Sequence, residues 1–240
     1  MVKDFGEYWD DLADEKAAKT RANNVLKYVK KYNANAKSVL ELGLGSGNVL
    51  KCFPKKYELY GLDTNKNYIK LAHKKMPKGN FFVSSMHNFS INKKFDIIFS
   101  IFDSINFLEN FSQWKSTFKN VNKHLDNQGV FIFDTYTPKM LEKAKNWSIF
   151  SREKFGFMWD KGIVRGNKLT WHFSIFERKK GKNYELNEYS FHERIFPVDK
   201  IEKELKKYFK IMEKIDGENL KKPSKETFRL MYVVKKRDVR

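Results

Sequence analysis

Ser38-Val39-Leu40-Glu41-Leu42-Gly43-Leu44-Gly45-Ser46-Gly47 is an apolar run that ends in three glycines at alternate positions. That composition suits a buried strand turning sharply into a helix. Glycine opens backbone angles closed to other residues and lets a ligand press against bare main chain. Glu41 stands just before the first glycine, where a strand-end carboxylate can reach the same ligand. Tyr57-Glu58-Leu59-Tyr60-Gly61-Leu62 reads as the next strand, and Asp63 closes it. An acid roughly 20 residues beyond the glycines, ending the second strand of a βαβ unit, is placed to accept hydrogen bonds from two neighbouring ribose hydroxyls. A purely structural turn has no use for such an acid, so the pair of features points to a nucleoside-type cofactor.

Dinucleotide-binding turns follow G-x-G-x-x-G. Here the third glycine comes one residue early at Gly47, Asn48 takes its expected place, and Glu41 lies outside that pattern. Glu41-Leu42-Gly43-Leu44-Gly45-Ser46-Gly47 instead resembles the first motif of class I S-adenosylmethionine-dependent methyltransferases, acid-x-Gly-x-Gly-x-Gly. The resemblance continues through Asn80 to Met86 as a third strand and its exit, and Phe95 to Ser100 as a fourth strand. His124 to Asp134 follows as a helix end, a turn and a fifth strand. It implies an α/β, Rossmann-like fold with a mostly parallel seven-stranded sheet flanked by helices. It also implies S-adenosyl-L-methionine as cofactor and S-adenosyl-L-homocysteine as product. On the same resemblance Glu41, Gly43, Leu44, Gly45 and Gly47 pack against the methionine part, and Asp63 with Thr64 holds the ribose. Ser85, Met86 and Ser100 would complete the cofactor site. Many members carry an Asp after the third strand for the adenine amino group. Ser85 stands there in this chain, so that contact falls to the serine oxygen, to nearby backbone or to apolar stacking.

Residues 1–31 have helical spacing and carry Tyr8-Trp9-Asp10-Asp11-Leu12-Ala13. The resemblance implies that Tyr8 covers the bound cofactor. The residues themselves equally suit an amphipathic helix whose aromatics pack on the sheet. From Ser38 to Phe133 strands alternate with helical segments, the pattern of an open parallel sheet whose ligands bind beyond the strands' carboxyl ends. After Asp134 the pattern changes to apolar–polar alternation, in Lys168 to Phe176 and again in Tyr184 to Arg194, with a turn-like Lys179-Lys180-Gly181-Lys182-Asn183 between them. Two or three antiparallel strands inserted after the fifth core strand fit this stretch. The division expected is an N-terminal helical cap over 1–37, a cofactor-binding core over 38–146, an antiparallel lid over 147–197 and completion of the core over 198–240.

The inserted sheet resembles the lid of bacterial methyltransferases that N-methylate amino sugars or related small amines. That resemblance puts Asp103 and Asn106, after the fourth strand, where acceptor groups arrive, with Tyr136, Trp159 and Trp171 lining the acceptor pocket. Methyl transfer from a sulfonium is an in-line displacement, so alignment and exclusion of water do most of the work and no obligatory catalytic motif is expected. His172, His192 and Tyr136 are the candidates for a base, histidine because its intrinsic pKa suits an amine proton near neutrality. The Asn/Asp-Pro-Pro-aromatic motif of enzymes that methylate base amino groups is missing, since Ser100-Ile101-Phe102-Asp103 follows the fourth strand.

Composition bounds the rest. One cysteine, Cys52, excludes an intramolecular disulfide and a cysteine-built metal site, and no metal is expected. The acid-rich start and the lack of a long apolar run lead to the expectation of a cytoplasmic protein with no membrane partner. The net charge of +19 invites a nucleic-acid partner. The lysines are spread in short groups along the whole chain, however, which favours a solvated coat. The reading reached is a methyltransferase acting on a small molecule, nitrogen ahead of oxygen. An RNA methyltransferase of the same fold is the alternative, and a non-catalytic nucleoside-binding module a further one.

Overall fold

Strand β1 (Ser38–Leu42) is buried along its whole length. It lies between β2 (Glu58–Asp63) and β4 (Phe95–Ser100) and is parallel to both. In a sheet covered on both faces a central strand has no polar side, which is why SVLEL reads as a continuous run rather than an alternation. In this computed structural model, which describes residues 5–12 and 14–237, β1 is an inner strand, third from one edge of a seven-stranded sheet. Residues 1–4, Ala13 of the aromatic–acid segment and residues 238–240 lie outside the described residues.

The other strands of this sheet are β3 (Asn80–Val83), β5 (Leu125–Tyr136), β10 (Phe209–Asp216) and β11 (Arg229–Lys236), in the order β10-β11-β5-β4-β1-β2-β3. Only β11 runs against its neighbours, pairing antiparallel with both β5 and β10. One face packs Val39, Ile97, Phe99 and Ile132 against α2 (Glu15–Tyr32) and α3 (Lys66–Lys75). The other packs Leu40, Leu42, Ile98 and Phe131 against α4 (Phe111–His124) and α6 (Val198–Leu205).

The second sheet is wholly antiparallel, with order β6 (Ser148–Glu153), β7 (Gly156–Arg165), β8 (Lys168–Arg178) and β9 (Tyr184–Arg194). It therefore has four strands, one more than the upper expectation. The alternation marked β8 and β9 but neither β6 nor β7, and in the edge strand β6 the apolar residues Ile149 and Phe150 are exposed and show no one-sided pattern. A short helix α5 (Pro138–Ala144) leads into it.

Two local departures have clear causes. The helix expected after the glycine turn is a single 3-10 turn over Leu50–Cys52. Pro54 removes a backbone donor and drives Phe53 to extended angles (φ −71, ψ 143), so nothing longer can form. The N-terminal helical stretch is two helices, α1 (Phe5–Leu12) and α2, because Asp14 adopts extended angles and caps α2 through the amide of Lys16 at 2.8 Å.

Candidate active site

The parallel strands β1, β2 and β4 deliver their carboxyl ends to one edge, and the glycine turn wraps it. The amides of Gly43 and Leu44 donate to the carbonyl of Leu62 at 3.0 and 2.9 Å, pinning the turn to the end of β2. Gly43 has φ +72, and a Cβ there would lie 2.7 Å from Cβ of Ser104, so only glycine fits under the loop after β4. Gly45, at φ +54, differs: a Cβ would meet nothing within 4 Å. Bare main chain at Gly45 therefore faces open space.

Asp63 is fixed at this edge by backbone donors. Its Oδ2 accepts from Gly45 N at 2.8 Å and its Oδ1 from Asn65 N at 2.9 Å. Burial nevertheless raises its pKa against the pull of those amides. Glu41 is buried, and its pKa is pushed well above the carboxylate range, first by burial and then by the charge of Asp63. Its Oε2 has no hydrogen-bond partner, and neither has the buried Oγ of Ser100 at the end of β4. Orphaned buried acceptors are costly, and unpaired ones mark places where a ligand supplies the donors. An ammonium and ribose hydroxyls on an aminoacyl nucleoside are donors of that kind.

Residues 39–129 match the methyltransferase domain family. The structure superposes on an S-adenosylmethionine-dependent methyltransferase from Clostridium acetobutylicum ATCC 824 with TM-score 0.83 and 25% identity, covering 98% of each chain. The protein is an S-adenosylmethionine-dependent methyltransferase with the class I fold. Its fold is shared with a sugar N-methyltransferase from Streptoalloteichus sp. ATCC 53650, at TM-score 0.80 and 14% identity over 99% of this chain and 94% of that one. It is also 23% identical over 116 residues to dTDP-3-amino-3,4,6-trideoxy-alpha-D-glucopyranose N,N-dimethyltransferase of Streptomyces venezuelae, about half of either chain. The cofactor of this methyltransferase is S-adenosylmethionine.

Several residues sit differently from the sequence expectation. Tyr8, expected over the cofactor, takes hydrogen-bond partners from the lid. It is fully buried against the lid, donating to Glu177 Oε2 at 2.9 Å and accepting from Asn187 Nδ2 at 3.3 Å. Phe5 packs beside it on Phe173, Tyr189 and Phe191. The residue of α1 that does reach the turn is Asp10. Its carboxylate accepts from Ser46 Oγ, from Asn48 Nδ2 at 3.1 Å and from Lys75 Nζ at 2.8 Å. Ser85 Oγ is engaged with His87 Nδ1 at 2.6 Å, which the sequence reading did not foresee. Met86 is buried, its Cε 3.4 Å from where a Cβ of Gly43 would stand. Thr64 is exposed beyond Asp63, and its amide also bonds that carboxylate.

The loop after β4, where acceptor contacts were expected, is held under the second sheet. Phe102 and Asp103 both have positive φ (60° and 54°), a strained pair for non-glycine residues, kept in place because Asp134 accepts from both amides at 2.9 and 2.6 Å. Asn106 is not available to an acceptor. Its Oδ1 takes Tyr136 N and Thr135 Oγ1, both at 3.1 Å, and its Nδ2 donates to Arg194 O at 2.9 Å, tying the loop to β5 and β9. Tyr136 is no base either: burial first, then the charge of Asp103, pushes its pKa far upward, and its hydroxyl accepts from Arg229 Nη2 at 2.9 Å.

Lid parity separates the remaining candidates. His172 and His192 lie on the outward face, opposite Ser190 and Thr170 in the β8–β9 register, and bond those hydroxyls at 3.1 and 3.0 Å. Trp159 pairs with Ser174 on that same outward face and is 38% exposed. Trp171 faces inward and donates to Glu193 Oε1 at 3.0 Å. Glu193 and Arg229 were missed. One signal was present: Glu193 falls in phase with Tyr189, Phe191 and Ile195, a carboxylate on the apolar side of an alternating strand.

Proposed function

We propose that this methyltransferase N-methylates a small-molecule amine. The observation that carries the reading is the acid-lined ground between the acceptor loop and the inner lid face, where Asp103, Asp134 and Glu193 lie buried with Tyr136 and Arg229. A site roofed by β8 and β9 favours a compact acceptor over a polymer, and buried carboxylates favour a cationic group over a neutral hydroxyl. The relative that is an N,N-dimethyltransferase of a dTDP-3-amino sugar and the neighbour that is a sugar N-methyltransferase support the same choice.

Bound S-adenosylmethionine supplies a methyl group already activated on a sulfonium. Glu41, Gly43, Leu44, Gly45, Gly47 and Asp63 would hold it, with Ser85, Met86 and Ser100 around them. Ser104 Oγ lies 3.4 Å from Gly43 O, so the acceptor loop abuts the glycine turn directly. That contact sets the acceptor's position relative to the methyl group, and alignment of this kind supplies much of the rate. The lid excludes water.

The test is a transfer assay with S-adenosylmethionine and a panel of amines, their matched alcohols and tRNA, read by mass spectrometry, alongside calorimetric binding of S-adenosylhomocysteine. Methyl appearing on amines alone is the expected result. Transfer to tRNA but to no small amine would overturn it.

A further inference from the structure

Four elements distant in sequence bring a set of ionisable groups to one buried spot beside the glycine turn. Asp103 comes from the loop after β4, Asp134 and Tyr136 from the end of β5, Glu193 from the inner face of β9 and Arg229 from the start of β11. Their exposures are 6, 5, 6, 1 and 8% in that order. Arg229 is the one guanidinium among three buried carboxyls. It pairs with Asp103 through Nη1, lies 3.5 Å from Asp134 Oδ2, donates through Nη2 to Tyr136, and reaches the half-exposed Glu218 through Nε at 2.8 Å. Arg21 of α2 adds a more distant positive charge, stacked on Phe102 at 4.1 Å. With every acid ionised, four negative charges face two positive ones.

Glu193 has no cation of its own. One oxygen takes the indole N–H of Trp171, and Oε2, fully buried, has no donor. Its strand is tied to the loop of Asp103, where Asn106 Nδ2 donates to Arg194 O at 2.9 Å. Burial, followed by the charge of Asp103, raises its pKa well above the ordinary range, with Arg229 and Trp171 opposing. Like charges sharing a site hold one proton between them. Among the described residues no group of acids, histidines or cysteines is arranged to hold a metal ion, so a resident metal does not explain the excess negative charge.

We propose that Glu193 and Asp103 form a proton-sharing carboxyl pair that receives the acceptor amine as its ammonium and takes a proton from it before methyl transfer. This rests on the small-amine reading above. Entry of the ammonium expels the shared proton to solvent, leaving both carboxyls ionised against the new cation. One ammonium proton then passes to the pair, restoring the shared state and freeing the nitrogen lone pair. That lone pair forms the N–C bond as the C–S bond breaks, and the electrons of the broken bond stay on sulfur. The product leaves as the N-methylated ammonium, and one proton has been released per cycle. Tyr136 and Arg229 act as positioning residues that hold Asp103. Glu193 is the group specific to the lid.

The experiment is calorimetric and needs no turnover. S-adenosylhomocysteine is bound first, and cyclohexylamine and glucosamine are titrated against cyclohexanol and glucose, in buffers of differing ionisation enthalpy. Wild type is expected to bind each amine at least ~10-fold tighter than its alcohol, the scale of one charge-assisted hydrogen bond. It should release about one proton per amine bound. Glu193→Gln keeps the indole contact, so it should retain S-adenosylhomocysteine affinity while the amine preference and the proton release both disappear. Glu193→Asp is the second variant and should keep a reduced preference. Amines bound no better than alcohols by wild type, or a preference that survives Glu193→Gln, overturns the pair and leaves the methyltransferase assignment standing. Failure of folded wild type to bind S-adenosylhomocysteine overturns both. The wild-type comparison decides the matter whether or not a variant folds.

Discussion

Replacing Gly45 by alanine tests whether the cofactor lies against this turn. Gly45 sits at φ +54 with no atom within 4 Å of a built Cβ. The cost to the fold is therefore the left-handed penalty alone, roughly 1–2 kcal/mol. For a chain of this length each kcal/mol lowers Tm by roughly 2–4 °C, so Gly45→Ala should melt about 2–8 °C below wild type. The new methyl group projects into the open space that the cofactor must enter against main chain. Affinity for S-adenosylhomocysteine should fall at least ~10-fold, or about 1.4 kcal/mol. Gly43→Ala is the contrast. Its Cβ would stand 2.7 Å from Ser104 Cβ and 2.9 Å from Ser104 Oγ, adding an overpacking cost of about 1–3 kcal/mol to the same backbone strain. Differential scanning calorimetry and isothermal titration on both variants read the two effects. Gly45→Ala protein that binds S-adenosylhomocysteine within about twofold of wild type (roughly 0.4 kcal/mol) would refute the placement of the cofactor over this turn.

Asp63→Ala should weaken S-adenosylhomocysteine ~100-fold or more, since two charge-assisted hydrogen bonds of about 1.5–3 kcal/mol each are removed; a change below about threefold, by titration, contradicts its ribose role. Glu41, its folded-state pKa raised by burial and by Asp63, contributes stability that is fully present below its ordinary value of 4.5 and lost as pH rises through the raised one. Glu41→Gln without cofactor should thus gain Tm on wild type as pH is taken from the acidic to the alkaline side, and a pH-independent difference counts against that shift. Tyr8→Phe loses the bonds to Glu177 and Asn187 and should cost about 1–2 kcal/mol, seen as faster hydrogen exchange in β8 and β9. Because His172 and His192 face outward, alanine at either should leave kcat/KM within about twofold, the usual range for surface changes; a loss of ~100-fold would put the lid's outer face in the chemistry.

What could be seen in the sequence was whatever the chain writes locally. The buried run before Gly43, the glycine spacing and the acid at Asp63 are contiguous patterns, and each follows from one strand end meeting one turn. Strand alternation exposed β8 and β9 for the same reason, while β6, solvent-facing along most of its length, left no pattern. Tyr8 could not be placed from its own neighbourhood, since its partners Glu177 and Asn187 lie 169 and 179 residues away. Asn106 was read as an acceptor contact because asparagine on a loop invites that, yet its partners come from β5 and β9. The histidines drew notice for their pKa, and a one-residue parity put them on the wrong face.

The acid cluster shows the same limit from the functional side. No two of Asp103, Asp134, Glu193 and Arg229 are near in sequence, and each alone reads as an ordinary charged residue. Their meaning arises when β9 is laid over the loop after β4, a placement fixed by Asn106 bonding Arg194 O and by Phe5 and Tyr8 packing on the inner lid face. The lid therefore does more than exclude water: it delivers Glu193 to Asp103. Displacing it takes away Glu193, the carboxyl with no cation of its own, and leaves Asp103 and Asp134 on Arg229. Acceptor selection then depends on where the lid sits. A change that loosens the lid, such as Tyr8→Phe, should weaken amine binding more than it weakens binding of S-adenosylhomocysteine, whose contacts lie on the core.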